Sequence, residues 1–282
     1  MKRAVKAFMP GERPEDALEA GAILAREGLG TLYTKLGEAL NSLDDAQAVH
    51  DHYILFFGEL HKRGIPGEVS IKPTQLGLDL SMPSCADHLA SLAKRADETG
   101  SVLWIDMEDS SYVDRTLELY RAVKAKHPTA GLALQAYLHR TPGDLAALMP
   151  LAPVIRLVKG AYAEPAYIAH AAKRDTDLAY YDLARTMLDA AKTKQCTAIF
   201  GTHDIPLVQR IIARAQESGV ADGAYQVHML YGIKMGEQRR LRAAGRTVKT
   251  LISYGNAWYR WYMRRLAERP ANVGFVLRSM FG

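Results

Sequence analysis

Val154-Ile155-Arg156-Leu157-Val158-Lys159-Gly160-Ala161-Tyr162 is an apolar run that turns polar at its end. A long helical pattern, Asp175–Lys194, follows it, and then a second apolar run, Thr197–Phe200. A short β-branched run bounded by glycine reads as a buried strand, and apolar residues three and four apart read as an amphipathic helix. Strand, helix, strand is one βα unit, the crossover that parallel strands require. The same alternation extends in both directions. Further strands are predicted at Gly30–Tyr33, Val69–Lys72, Val102–Asp106, Leu132–Gln135, Tyr225–Met229 and Thr247–Ile252. Helices are predicted at Pro14–Glu27, Ala46–Lys62, Cys85–Thr99, Tyr112–His127, Ile205–Ser218 and Gly236–Ala244. Gly64-Ile65-Pro66-Gly67, Thr141-Pro142-Gly143 and Ser218-Gly219 punctuate the units, and Gly131 and Gly245 precede strands as αβ turns do. Eight such units make an α/β protein whose natural closure is a (βα)8 barrel. The expected division is an N-terminal segment with one helix, residues 1–28, and a barrel over 29–282.

Composition agrees with one domain of this kind. The chain has 282 residues, 48% of them hydrophobic, and a formal net charge of +5. Charges of both signs are mixed along it, so no nucleic-acid-binding tail is visible, although a weak attraction to anionic membrane surfaces is allowed. Cys85 and Cys196 are far apart without metal-ligand spacing, which suits a reducing cytosol. Lys2, Arg3 and Lys6 open the chain with no long apolar run behind them, and no stretch is long enough to span a bilayer.

A barrel places its chemistry at the C-terminal ends of the strands. Polar residues gather there: Lys72, Asp106, Gln135, Arg156, Lys159, Thr202-His203, and Gln226 with His228 on the seventh strand. Beyond the eighth strand, Tyr254–Pro270 reads as a helix capped at Asn256 and stopped by Pro270, with Trp258, Trp261, Arg265 and Glu268 on one face. The adjacent Arg264 and Arg265 beside large rings can hold a small carboxylate bidentately against an apolar wall. A solvated basic face is the bland alternative. Neither G-x-G-x-x-G nor a Walker A motif occurs, which disfavours a Rossmann dinucleotide site and a P-loop. His50-Asp51-His52 falls within a helical pattern as surface residues. His203, His228 and Asp106 lack the close histidine pairs of barrel metal sites, so no metal is expected. Lys72 or Lys159 could instead form a Schiff base. From residue chemistry alone, a flavin-free lyase or aldolase and a cofactor-dependent enzyme both stand.

Thr31–Glu38, Ser70–Gly77, Asp106–Ser110, Leu134–Thr141, Arg156–Tyr162, Thr202–Asp204, Gln226–Gly232 and Tyr254–Arg269 together resemble the proline dehydrogenase family, in family order and over most of the chain. Arg-Leu-Val-Lys-Gly-Ala-Tyr followed by Tyr-Met-Arg-Arg-Leu-Ala-Glu-Arg-Pro is the most specific part. The resemblance implies a distorted (βα)8 barrel of the TIM type, its last helix lying over the C-terminal face, that binds FAD without a Rossmann fold. It implies oxidation of L-proline to Δ1-pyrroline-5-carboxylate by hydride transfer from C5 to the flavin N5, with electrons passed to a quinone. By matching motif, Arg264, Arg265 and Lys72 would bind the substrate carboxylate, and Tyr254 and Leu230 would wall in its ring. Asp106 would orient its neighbours, Tyr254 among them. Arg156 would donate near the flavin N5. Gln135, Val158, Lys159, Gly160, Tyr162, Thr202, His203, Gln226 and Glu268 would hold other parts of FAD.

The chain departs from the family pattern at two positions. Trp261 stands where members usually carry Tyr, which bears on proline against hydroxyproline or another cyclic imino acid, and Thr34 stands where they usually carry Asp. The resemblance further implies a monofunctional bacterial protein that works beside a separate pyrroline-5-carboxylate dehydrogenase. It is expected to be cytoplasmic, with peripheral contact to the inner face of the cell membrane. A non-catalytic barrel scaffold is the third reading.

Overall fold

Eight parallel strands hydrogen-bond in chain order and close into a barrel. The computed structural model describes residues 7–37 and 40–259. The strands are β1 Gly30–Lys35, β2 Gly67–Ile71, β3 Leu103–Ile105, β4 Gly131–Gln135, β5 Val154–Val158, β6 Thr197–Gly201, β7 Tyr225–Leu230 and β8 Thr247–Tyr254. The described helices are α1 Pro14–Arg26, α2 Leu43–Lys62, α3 Met82–Glu98, α4 Val113–Lys124, α5 Thr141–Leu148, α6 Lys173–Lys192, α7 Ile205–Glu217 and α8 Met235–Ala243. All eight expected strands are present, and the closing pair β1–β8 registers Gly30 with Lys249 and Lys35 with Tyr254.

Capping chemistry explains the helix starts. The Ser42 hydroxyl accepts from the Asp45 N–H at 3.2 Å and starts α2 three residues ahead of the expected Ala46. Ser81 does the same for α3, with a proline in its first turn. The expected breaker Thr141-Pro142-Gly143 is instead the first turn of α5, because proline is preorganised there and its missing N–H is no loss. Gly131 does not turn the chain. It is the first residue of β4, and a Cβ there would lie 2.4 Å from the Trp104 ring. His52 is not a surface residue: its ring turns toward β8 and its Nε2 lies 2.7 Å from the Tyr254 hydroxyl.

Outward-facing strand residues and the inner faces of the helices form the main hydrophobic core, among them Val69, Ile105, Leu134, Leu157, Phe200 and Val248. Inside the barrel Leu32, Trp104 and Ile199 form a small buried apolar cluster, with Leu251 packed against it. Beside this cluster the interior also holds the buried polar side chains Glu68, Ser70 and Arg156. Glu68 pairs with Lys249 across the floor and accepts from the Trp104 indole N–H at 2.7 Å. The Arg156 guanidinium lies 4.9 Å over the Trp104 ring. The barrel is thus plugged from below and open above.

Candidate active site

Strand alternation decides which residues reach the open end. Positions two apart share a face, so Ser70 and Lys72, Trp104 and Asp106, Ala133 and Gln135, Arg156 and Val158, His228 and Leu230, and Leu251 and Ser253 point along the same interior. All of these but Ser70 and Trp104, which lie beneath, line a cavity of about 660 Å3. Of the expected site residues, Lys72, Asp106, Gln135, Arg156, Val158, Lys159, Gly160, Tyr162, Thr202, His203 and Leu230 lie in its wall.

Arg156 is the centre of the polar side. Its Nη2 donates to Ser70 Oγ at 2.9 Å and pairs with Asp106 Oδ1, while Ser70 Oγ donates to the same carboxylate oxygen at 2.8 Å. Asp106 lies one residue past β3 and is held there by its own N–H on the Ile71 carbonyl at 2.9 Å. A charge-assisted triangle of this kind fixes the guanidinium, because both groups are largely out of water. At the rim, Lys159 bridges Asp177 and Asp204, and Lys173 reaches the same two carboxylates. Asp204 also caps α7 by accepting from the Leu207 N–H at 3.2 Å. Burial works to raise the Asp204 pKa, but the Lys159 and Leu207 bonds outweigh it and hold it below the ordinary carboxylate range. Glu108, behind this wall, is raised by burial, while its bonds from Thr74 N–H (3.0 Å) and Oγ1 (2.7 Å) oppose that shift.

Two expected residues stand elsewhere. Tyr254 does not wall the cavity. It alternates with Ser253, so its ring points outward, fully buried and stacked on Phe56 at 5.3 Å, with its hydroxyl on His52 rather than on Asp106. Leu251 and Ser253 are the β8 residues that face the cavity. Gln226 lies one layer below the cavity, its Oε1 3.2 Å from His228 Nε2, and His228 takes the wall position on β7. Burial, then Arg156 and Lys249, push the His228 pKa well below its ordinary value, so the ring is neutral. Trp261, Arg264, Arg265 and Glu268 lie outside the described residues; the chain is helical at Trp258 and Tyr259.

Thr34, noted as a departure from the family pattern, lies in the wall, and so do residues that the motif reading did not single out: Phe8, Lys35, Gln75, Lys234 and Leu251. The period of two predicts Leu251 and His228 once Ser253 and Leu230 face inward. Phe8 had no signal, since it comes from a segment before the first helix.

The donor set fits a flavin. Gln135 gives both amide hydrogens to the Met107 and Glu108 carbonyls at 3.1 and 2.7 Å, which leaves its Oε1 buried without a partner among the described residues. His228 Nδ1 and Ser253 Oγ are likewise buried and unpartnered there. Buried polar atoms of this kind are costly unless something bonds them, and a ring edged with N–H and carbonyl groups does so. Lys35, Lys72, Arg156, Lys159, Lys173 and Lys234 outnumber Asp106 and Asp204 around the cavity, which favours anionic groups.

The chain matches the family model described as proline dehydrogenase over residues 17–278. It is 34% identical over 273 residues to proline dehydrogenase 1 of Bacillus subtilis subsp. natto, covering 97% of this chain and 89% of that one. It is 35% identical over 284 residues to the proline dehydrogenase of Deinococcus radiodurans, covering 97% and 88%. The fold superposes on proline utilization A from Bdellovibrio bacteriovorus, solved after inactivation by N-propargylglycine, with a TM-score of 0.85 at 23% identity. That likeness takes in 93% of this chain but 32% of the other, so this chain spans about a third of that protein's length.

Proposed function

Because this chain belongs to the proline dehydrogenase family, we propose that it oxidises L-proline to Δ1-pyrroline-5-carboxylate with FAD held in the barrel mouth. The observation that carries this reading is the two-sided cavity. A cationic, hydrogen-bonding side comes from β2 to β6, and an apolar side with Leu230 and Leu251 comes from β7 and β8.

Residues 29–282 are the catalytic barrel in this proposal. The flavin, when bound, would supply the two-electron acceptor. Gln135, Arg156, Val158, Lys159, Gly160, Tyr162, Thr202 and His203 would hold it, with Glu268 beyond the described residues. Arg156 is kept in place by Asp106 and Ser70, so its charge is oriented before any ligand arrives. Lys72, with Arg264 and Arg265, would fix the substrate carboxylate, and Leu230 would pack on the ring. With the carboxylate held at one end and the ring at the other, C5 presents its hydrogen to the acceptor in one orientation. A hydride would pass from C5 to the bound flavin, and the proton of the ring nitrogen to solvent, as the C5–N double bond forms. Neutral His228 in the cavity wall brings no charge against the cationic set.

Electrons would pass on to a quinone, reached by peripheral contact with a membrane. Among the described residues no helix is long and apolar enough to cross one. A separate pyrroline-5-carboxylate dehydrogenase would consume the product. The test is anaerobic: the purified protein should be yellow, and L-proline should bleach its flavin absorbance. A colourless protein, or a flavin that proline leaves oxidised, overturns the proposal.

A further inference from the structure

We infer that the segment Ala7–Glu12 is a strap built into the active-site wall, and that Phe8 sets the size of the ring admitted there. The strap is seated at both ends. The Ala7 carbonyl oxygen lies where a side chain on Gly232 would stand, 1.6 Å from an ideal Cβ. Gly232 has φ +75°, so glycine serves there twice, for backbone conformation and for the strap's close approach. Glu12 Oε1 accepts from the Trp258 indole N–H at 3.0 Å. The strap therefore spans from the loop after β7 to the residues after β8. Between these ends Met9 is fully buried, and Phe8 lines the cavity together with Leu230, Ile233 and Ala257.

These neighbours belong to the apolar side, opposite Arg156 and Asp106. An aliphatic ring whose carboxylate is held by cations turns its methylenes to that side. A phenyl ring in the wall there limits how many methylenes fit, and one methylene against a packed wall changes selectivity by about 10- to 200-fold. The size filter rests on the proposed oxidation of proline; the strap itself rests on geometry alone.

Two measurements separate them. The ratio of kcat/KM for L-pipecolate, one ring methylene larger, to that for L-proline is compared in the wild type, Phe8→Leu and Phe8→Ala holoenzymes. It should rise in that order, about tenfold by Phe8→Ala. Gly232→Ala, outside the cavity wall, should shift the ratio the same way by displacing the strap. Chymotrypsin should spare the Phe8–Met9 bond in the wild type and release a product beginning at Met9 from Gly232→Ala. If Gly232→Ala does not fold, Glu12→Ala, which frees the Trp258 end, takes its place. An unchanged ratio in an active Phe8→Ala enzyme overturns the size filter. Rapid wild-type cleavage after Phe8 overturns the strap. A wild type that oxidises no proline overturns the activity and the filter together, and leaves the strap to be judged by cleavage.

Discussion

Arg156 shows how one residue can serve both stability and chemistry. Its guanidinium is 7% exposed and depends on Asp106, Ser70 and the Trp104 face for what water would otherwise supply. Removing one partner of a largely buried pair strands the other, so Asp106→Ala should destabilise the protein by about 3 kcal/mol. The double variant Asp106→Leu/Arg156→Met, which removes both charges, should be destabilised less in the same urea titration. A double variant weaker than the single would mean that the pair is not coupled as its geometry indicates. The double variant should also bind FAD at least about tenfold more weakly, as read by flavin fluorescence. At this scale the motifs led to cavity-wall positions for Lys72 and Asp106, just past their strands, and for Arg156 in the middle of β5. They misled at Tyr254 and Gln226, where a shift of one residue or one layer along a strand changes the face or the depth.

Among the elements, strands were more legible than helices. β5 runs from Val154 to Val158 as its apolar residues predict, since a buried parallel strand is a largely apolar run, here interrupted by Arg156 alone. α5 was hidden because Thr-Pro-Gly, met in isolation, signals a turn, and only the packed partners of Leu145 and Leu148 make it a helix. The lone glycine of β4 carries a packing demand that pattern reading cannot see. Its Trp104 neighbour comes from the adjacent strand, and β3 pairs with β4 through Trp104 and Gly131. Gly131→Ala should therefore cost about 1–3 kcal/mol, despite alanine's better fit to regular structure, because the indole is held by Glu68 and Arg156 and cannot yield. Thermal denaturation would read this as a lowered Tm. An unchanged or raised Tm would mean that the indole moves freely.

For the molecule as a whole, acid is the expected weakness. Burial, then Lys35, brings His52 down to about 4, and burial, then Arg156 and Lys249, also holds His228 well below its ordinary value. In the unfolded chain both rings take a proton near pH 6.5. The unfolded state then binds more protons than the native state, so stability falls as pH drops from about 6.5 toward 4. The midpoint of urea unfolding should decline through that window, and less steeply in His52→Gln. Identical slopes in the two proteins would remove His52 from the account.

The floor pairing of Glu68 with Lys249 and the β1–β8 register join residues from opposite ends of the chain. On a ribosome, β1 leaves the exit tunnel long before β8 exists. Until β8 has been made, β1 and β7 have open edges, Glu68 lacks its lysine, and the cavity has only part of its wall. Barrel closure is therefore a late, long-range event that local helix formation cannot hasten. Nascent chains arrested before Thr247 should depend on chaperones in a way that the finished protein does not.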